Sequence, residues 1–395
     1  MSGMTFLRSS LALGLCALAI ARAGGARAAG PSTQPATTQA ARPATITLHV
    51  RDVPARKVVA ELSRQAGAVL PLMPPDLFDQ NPLPPVTLDV DGKPFWTALE
   101  EMSRKTGLEP MASPDDAYPR LVLGLNGGGF WQEPHVVGGP LVIFANEVER
   151  NHSVELRRST PGEFERRITV NLTAFAEPGL RVLSASPGVK VTTAVDEAGH
   201  RLNPSPGDPE TPDFSPASNP GNGLYAWNLA VVLEAPPAGA KSIAKLGGVT
   251  YVRVQTASER VEIDDVMKQR NLTRTVAGVP FTVKSLKKVD IEYLLQLGLR
   301  RGNKQREVEW QNLHGSIYNG RMALYDNKGR LVAGRATENG GDYGDRKIDA
   351  TLRFVREPGV SDPDAGEPYK LVWLAPTQSK DLPVPFELRD LPIPE

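Results

Sequence analysis

The chain has 395 residues, 45 Lys and Arg balanced by 45 Asp and Glu, and a single cysteine. Zero net charge leaves no basic field to displace counterions from a phosphate backbone, which argues against nucleic acid as a partner. One thiol excludes a disulfide framework and a thiolate zinc site, so stability rests on buried apolar area, for which this length is ample.

Residues 1–28 read as an export signal. Arg8 supplies the positive start, Leu11 to Ile20 form an apolar core, and small residues come after it. A bilayer crossing takes roughly twenty apolar residues, and here Arg22, Gly24 and Gly25 end the run much sooner. Cleavage is expected at Ala21-Arg22-Ala23 or Ala26-Arg27-Ala28, leaving no membrane span. Cys16 lies inside the apolar core rather than after it, against an acylated lipoprotein cysteine. Removal of Arg8, Arg22 and Arg27 takes the formal charge from 0 to −3. Residues 29–44, rich in Pro, Thr, Gln and Ala without apolar periodicity, are expected to be a disordered linker.

The next segment repeats at an offset of 40 residues: Thr47-Leu48-His49-Val50 returns as Thr87-Leu88-Asp89-Val90, Pro54 as Pro94, Glu61-Leu62-Ser63-Arg64 as Glu101-Met102-Ser103-Arg104, and Gly67 as Gly107. Each copy predicts a strand, a proline-led helix and a further strand. Val58, Val59, Leu62 and Ala66 form one apolar helix face; Phe95, Ala98, Leu99 and Met102 form the other. Neither copy closes a core alone, so the two are expected to fold as one body. Five prolines between Met73 and Pro85 make the connection irregular, and Leu121-Val122-Leu123 predicts a last strand.

This pattern, with its T-L-x-V strand and a second helix running into Lys105-Thr106-Gly107-Leu108, resembles the STN domain, the short domain at the N-terminus of secretins and TonB-dependent receptors. The resemblance spans residues 45–125. It implies a periplasmic module that docks a protein partner and performs no catalysis. The remaining chain lacks the long alternating strands and aromatic girdles of a barrel or pore, so only the docking role carries over.

Residues 126–139 read as a linker. From Pro140 the punctuation is all β, with predicted strands at Leu141 to Phe144, Arg167 to Leu172, Leu180 to Leu183, Val189 to Thr193, Leu224 to Leu233 and Val249 to Gln255. Leu202 to Gly223, with six prolines, reads as a surface excursion. Further strands are expected at Phe281 to Val283, Ile291 to Leu299, Arg306 to Leu313, Arg321 to Tyr325, Leu331 to Ala333, Ile348 to Phe354 and Lys370 to Leu374. The proline-broken terminus Leu391-Pro392-Ile393-Pro394 reads as a poor closing strand. The expected fold class is α+β: a two-copy strand-helix-strand (STN-like) domain over 45–125, then one or two antiparallel β-sandwich domains, 140–266 and 267–395.

No catalytic or metal-ligating set emerges, and no cofactor is expected. His49, His135, His152, His200 and His314 form no metal-binding spacing. Asp362-Pro363-Asp364-Ala365-Gly366-Glu367 places its glycine one position early for a calcium loop and reads as a polar turn, as does Asp342 to Asp345. Gly124 to Gly129 leads into no helix or lysine, unlike a phosphate loop. A G-x-S-x-G elbow is absent, and the pairs Glu100-Glu101 and Asp264-Asp265 read as solvated charge. Trp227 and Trp310 are expected on strands and, if exposed, are candidates to stack a sugar ring.

These features predict an exported, non-enzymatic protein of the periplasm or cell envelope with an envelope protein as partner. The alternative is a carbohydrate- or polymer-binding sandwich with a polysaccharide as ligand. A hydrolase built from dispersed carboxylates ranks behind both.

Overall fold

Proline and glycine punctuate the first part of the chain at matching places. Pro54 and Pro94, both at φ −54°, stand immediately before two 12-residue helices, and Gly67 and Gly107, at φ 67° and 71°, end them in the left-handed conformation. The computed structural model describes residues 43–68, 70–74, 76–112, 121–125, 129–154, 164–205, 226–235, 239–303, 305–318, 322–334, 336–344, 346–356 and 361–394. The expected signal, 1–28, lies outside them, as does the linker expected at 29–44 apart from residues 43 and 44.

The first elements are β1 (Thr45–Val53), α1 (Ala55–Ala66), β2 (Leu72–Met73), the short helix α2 (Leu77–Gln80), β3 (Val86–Pro94), α3 (Phe95–Thr106), β4 (Leu108–Ala112) and β5 (Leu121–Leu125). Strands β1 and β3 pair antiparallel with His49 opposite Asp89, its counterpart in the repeat. A local two-fold axis therefore passes between them. The same symmetry governs two exchanged bonds: Thr47 Oγ1 accepts from the Gly92 N–H and Thr87 Oγ1 from the Asp52 N–H, each at 3.1 Å. In the other sheet β5 is central, parallel to β2 and antiparallel to β4. All eight expected helix-face residues, from Val58 to Met102, are buried in one core with Ile46, Leu48, Leu88, Val90, Leu108 and Leu123.

The rest of the chain is β-rich, with several antiparallel sheets. The first, in the order β11-β8-β7-β6, comprises β6 (His135–Gly138), β7 (Leu141–Val154), β8 (Phe164–Ala176) and β11 (Ala226–Glu234). It faces a six-stranded sheet containing β9 (Val182–Ala185), β10 (Lys190–Asp196), β12 (Ser242–Ile263), β16 (Met322–Tyr325), β17 (Leu331–Ala333) and β20 (Lys370–Pro392). A third sheet, β13-β14-β15-β19-β18, is formed by β13 (Leu272–Val276), β14 (Val279–Val289), β15 (Glu292–Arg300), β18 (Ala336–Gly344) and β19 (Lys347–Val355).

The division expected at 266/267 is not where packing divides the chain. β12 and β20, 22 and 23 residues long, pair from Ser242 opposite Pro392 to Ile263 opposite Leu371 and pass through both cores. The first core takes Leu246, Val252 and Val254 from β12 and Val384, Phe386 and Leu388 from β20. The second takes Val261 and Ile263 from β12 and Leu371, Trp373 and Ala375 from β20. Register shifts between Gln255 and Ser258 mark the passage from one to the other. The last strand in sequence thus completes the first sandwich, because a strand pairs with whichever partner is near in space.

The C-terminal prolines do not break that strand. Pro383 and Pro385 sit opposite Tyr251 and Val249. A Cβ built on Gly138 would lie 2.8 Å from the Pro385 carbonyl oxygen, so this carbonyl points at β6, away from β12. In an antiparallel strand the N and O of one residue point the same way, so the missing N–H falls on the edge where the β12 ladder needs no donor. Gly138 lets β6 come this close. Gly138→Val is expected to part β6 from β20 and lower the unfolding free energy by about 1–3 kcal/mol; a urea midpoint equal to that of the native chain would refute the contact.

Three further expectations change. Arg306 to Leu313 is not a strand but part of helix α4 (Glu307–Tyr318): Trp310, Leu313 and Ile317 recur at helical spacing behind Glu307 and Glu309 in the first turn. Leu202, expected in a surface excursion, is 2% exposed in the first sandwich core, while residues 206–225 lie outside the described residues. The segment expected as a linker, 126–139, holds β6 and two packed aromatic residues, Phe130 and Trp131; residues 126–128 are outside the described set.

Candidate functional site

The repeated α/β module is seated on the outer face of the β11-β8-β7-β6 sheet. Along β7, Leu141 and Ile143 enter the sandwich core, whereas Val142 and Phe144 enter the core of the module. A strand buried on both faces has no polar alternation, which explains the unbroken run Leu141 to Phe144. Trp96, fully buried in α3, donates from Nε1 to the Pro140 carbonyl at 3.2 Å and meets Phe95 and Phe175 edge-on. Phe130 stands edge-on to Trp131, Phe144 and Phe175 with ring centroids 4.5–5.4 Å apart. Such pairs add about 0.5–1.5 kcal/mol each beyond the area they bury. The Glu109 carboxylate accepts from the Phe130 N–H at 3.2 Å, tying this aromatic group to β4.

A single carboxylate fastens the entering chain to the same seat. Glu177, 2% exposed, accepts the Ala44 N–H at 3.0 Å on each oxygen, and its own N–H donates to Pro140 O at 2.9 Å. Burial raises its carboxyl to about 7, opposed only in part by the Ala44 hydrogen bond. Two residues on, Gly179 lies under the end of α1: a Cβ there would run into the Ala66 carbonyl oxygen.

The opposite side of the module is open. Thr47, His49, Asp89 and Asp91 are exposed, and among the described residues β1 and β3 pair with each other alone. The outer edge of β1 is guarded. From α1, Gln65 accepts the Thr47 N–H on Oε1 and donates from Nε2 to the Thr47 carbonyl, both at 2.8 Å, as a neighbouring strand would. Gln65 Nε2 also donates to Glu61, whose carboxyl Arg64 and Gln65 together hold down at about 2. Among the described residues no hydrogen bond reaches the outer edge of β3, so that edge is free to take an added strand.

The residues singled out from sequence fall elsewhere. Trp227, on β11, and Trp310, on α4, are each 3% exposed and belong to the first and second sandwich cores. Neither offers a ring face to a sugar, because each fills the interior that its own element covers. His49 pairs with Asp89 and His200 with Asp196, while His135 lies against the Trp131 and Phe144 rings. Among the described residues no group of three His, Cys, Asp or Glu could hold a metal ion. Glu100 pairs with Arg104, Glu101 with Lys93, Asp264 with Lys370 and Asp265 with Lys268. In the Asp362 to Glu367 turn, Asp362 accepts the Asp364 N–H and the Gly366 N–H donates to Asp326. Asp342 lies in β18 rather than a turn, and Asp345 is outside the described residues. Sequence reasoning misses Gln65 and Glu177: Gln65 reads as one more polar residue on a helix, and Glu177 comes directly after an apolar strand with nothing to mark it as buried.

No family model matches the chain, and none of the curated proteins matches it. A solved structure described as a conserved domain protein from Bacillus anthracis aligns with 65% of this chain and 89% of its own, at 8% identity and a TM-score of 0.18. So slight a likeness carries neither fold nor function across.

Proposed function

We propose that this chain is an exported, non-enzymatic protein of the periplasm or cell envelope, in which the STN-like module of residues 45–125 docks a protein partner and the sandwiches hold that module in place. The observation carrying this reading is the free outer edge of β3 on a body otherwise clamped to its support. An extended segment adding to this edge would gain main-chain hydrogen bonds, with Thr87, Asp89 and Asp91 exposed beside it to select its side chains. The Gln65 amide directs addition to β3 by filling the corresponding place on β1. The sequence resemblance supplies the class of partner, an envelope protein.

A photo-crosslinking side chain placed at Asp89 or Asp91, and for comparison at Lys268 or Arg389 in the sandwich body, tests this in cells making the full chain. The expected result is one adduct with an envelope protein from the β3 positions alone, carried by a chain shortened at its N-terminus. Adducts of equal yield from all four positions, or from none, would refute edge docking. A full-length chain remaining in the cytoplasm would refute export.

A further inference from the structure

The six-stranded sheet turns one face to the second core through Leu371 and Trp373 and its other face outward. On that outward face lies a cleft of about 320 Å³, lined among others by Arg260, Asp264, Tyr325, Asn327, Tyr369 and Lys370. Its position is independent of the docking edge.

Three of the lining residues, Arg260, Asp264 and Lys370, belong to a chain of ion pairs through Glu262. Glu262 accepts Arg260 Nε at 2.7 Å on one oxygen and Lys370 Nζ at 2.8 Å on the other, and Asp264 lies 3.4 Å from Lys370. Two cations and two anions sum to zero charge. The rim is a turn locked from within: the buried Asp326 carboxylate accepts the N–H groups of Lys328, Arg330 and Gly366 and Arg330 Nε, all at 2.8–3.0 Å. This holds Asn327 in place at the mouth. The wall is aromatic, with Tyr325 and Tyr369 joined by a 2.8 Å bond from the Tyr369 N–H to the Tyr325 carbonyl, and Tyr369 is 36% exposed. Among the described residues neither phenol hydroxyl nor the Asn327 amide has a hydrogen-bond partner.

From this arrangement we infer that the cleft is a binding site for a neutral saccharide. Phenol rings suit the C–H faces of a pyranose, and the hydroxyls around its edge both donate and accept, as do the groups of the network and rim. An anionic polymer would have to draw Arg260 and Lys370 away from Glu262, and a cation would meet carboxylates already neutralised; a polyol needs neither. Because Asp326 fixes the rim before binding, little ordering is lost there when a ligand enters. The volume lies near the lower end of the roughly 300–1,000 Å³ usual for small-ligand sites, the size of a short stretch of sugar rings rather than a long chain.

The test is calorimetric and NMR titration of the mature chain with cellohexaose, maltohexaose and N-acetylated chitohexaose, beside hexagalacturonate as the charged counterpart. At least one neutral oligosaccharide is expected to bind at millimolar concentration or below, shifting resonances around Tyr325 and Tyr369. Tyr369→Ala and Asn327→Ala are expected to weaken that binding about tenfold or more without changing the melting temperature. The site is refuted if no neutral hexamer binds, if hexagalacturonate binds as tightly as the best of them, or if neither substitution changes the affinity.

Discussion

Trp96→Ala is expected to lower the unfolding free energy by about 3–5 kcal/mol, the range for removing a large aromatic side chain from a packed interior. The ring is fully buried, and it serves two bodies: the core of the α/β module on one side and the sheet beneath on the other. The substitution opens a cavity at their junction and leaves the Pro140 carbonyl without the indole donor. Chemical denaturation of the full chain measures the loss. Limited proteolysis identifies its location, with faster cleavage expected between 125 and 140 than in the sandwich body. Trp96→Phe, which keeps a ring but not the N–H, is expected to recover most of the stability. A variant as stable and as resistant as the native chain would show that the module is not held by this seam.

Glu177→Gln is expected to remove a pH dependence. In the unfolded chain the Glu177 carboxyl titrates near its ordinary 4.5, and in the folded chain burial raises it to about 7. Below pH 4.5 both states hold the proton and this group has no effect on the balance. Between 4.5 and 7 the folded chain alone keeps the proton, so folding takes one up and stability falls as pH rises. Above 7 both states are ionised, and the loss levels off at roughly 3 kcal/mol, from about 1.36 kcal/mol for each tenfold change in the proton equilibrium. The amide that replaces the carboxyl has no proton to exchange. The variant is therefore expected to gain on the native chain as pH rises from 4.5 to 8, most of all above 7. Denaturation curves at pH 4.5, 6 and 8 decide it, and a difference between the two proteins that does not vary with pH would refute the burial of a titrating carboxylate at this seat.

Local patterns were legible in the sequence and distant pairings were not. The offset between Pro54 and Pro94, and between Gly67 and Gly107, locates both helices of the module, because proline and glycine act within a single turn of chain. Val58, Leu62, Leu99 and Met102 likewise announce their burial by spacing alone. Trp310 misleads because Val308 and Trp310 alternate with Glu307, Glu309 and Gln311 in a strand-like manner; Leu313 and Ile317, three and seven residues after Trp310, resolve the ambiguity in favour of a helix. The pairing of β12 with β20 joins residues more than a hundred positions apart, and no local signal in Pro383 or Pro385 reveals that their N–H-free side is the outer one. The candidate sites obey the same rule. Trp227 and Trp310 attract attention by residue type but are interior, whereas Tyr325 and Tyr369 are brought together only by the return of β20 alongside β16.

The length of β12 and β20 has a mechanical consequence. At about 3.3 Å per residue, a two-strand ribbon of this extent reaches up to roughly 70 Å, and it is the common spine of both hydrophobic bodies. Loss of either body leaves half of the shared ribbon without the core that covers it, so the two bodies are expected to melt in one calorimetric transition rather than two. The sheet that carries the α/β module is packed against one half of this girder, and the tyrosine-walled cleft lies on the other half.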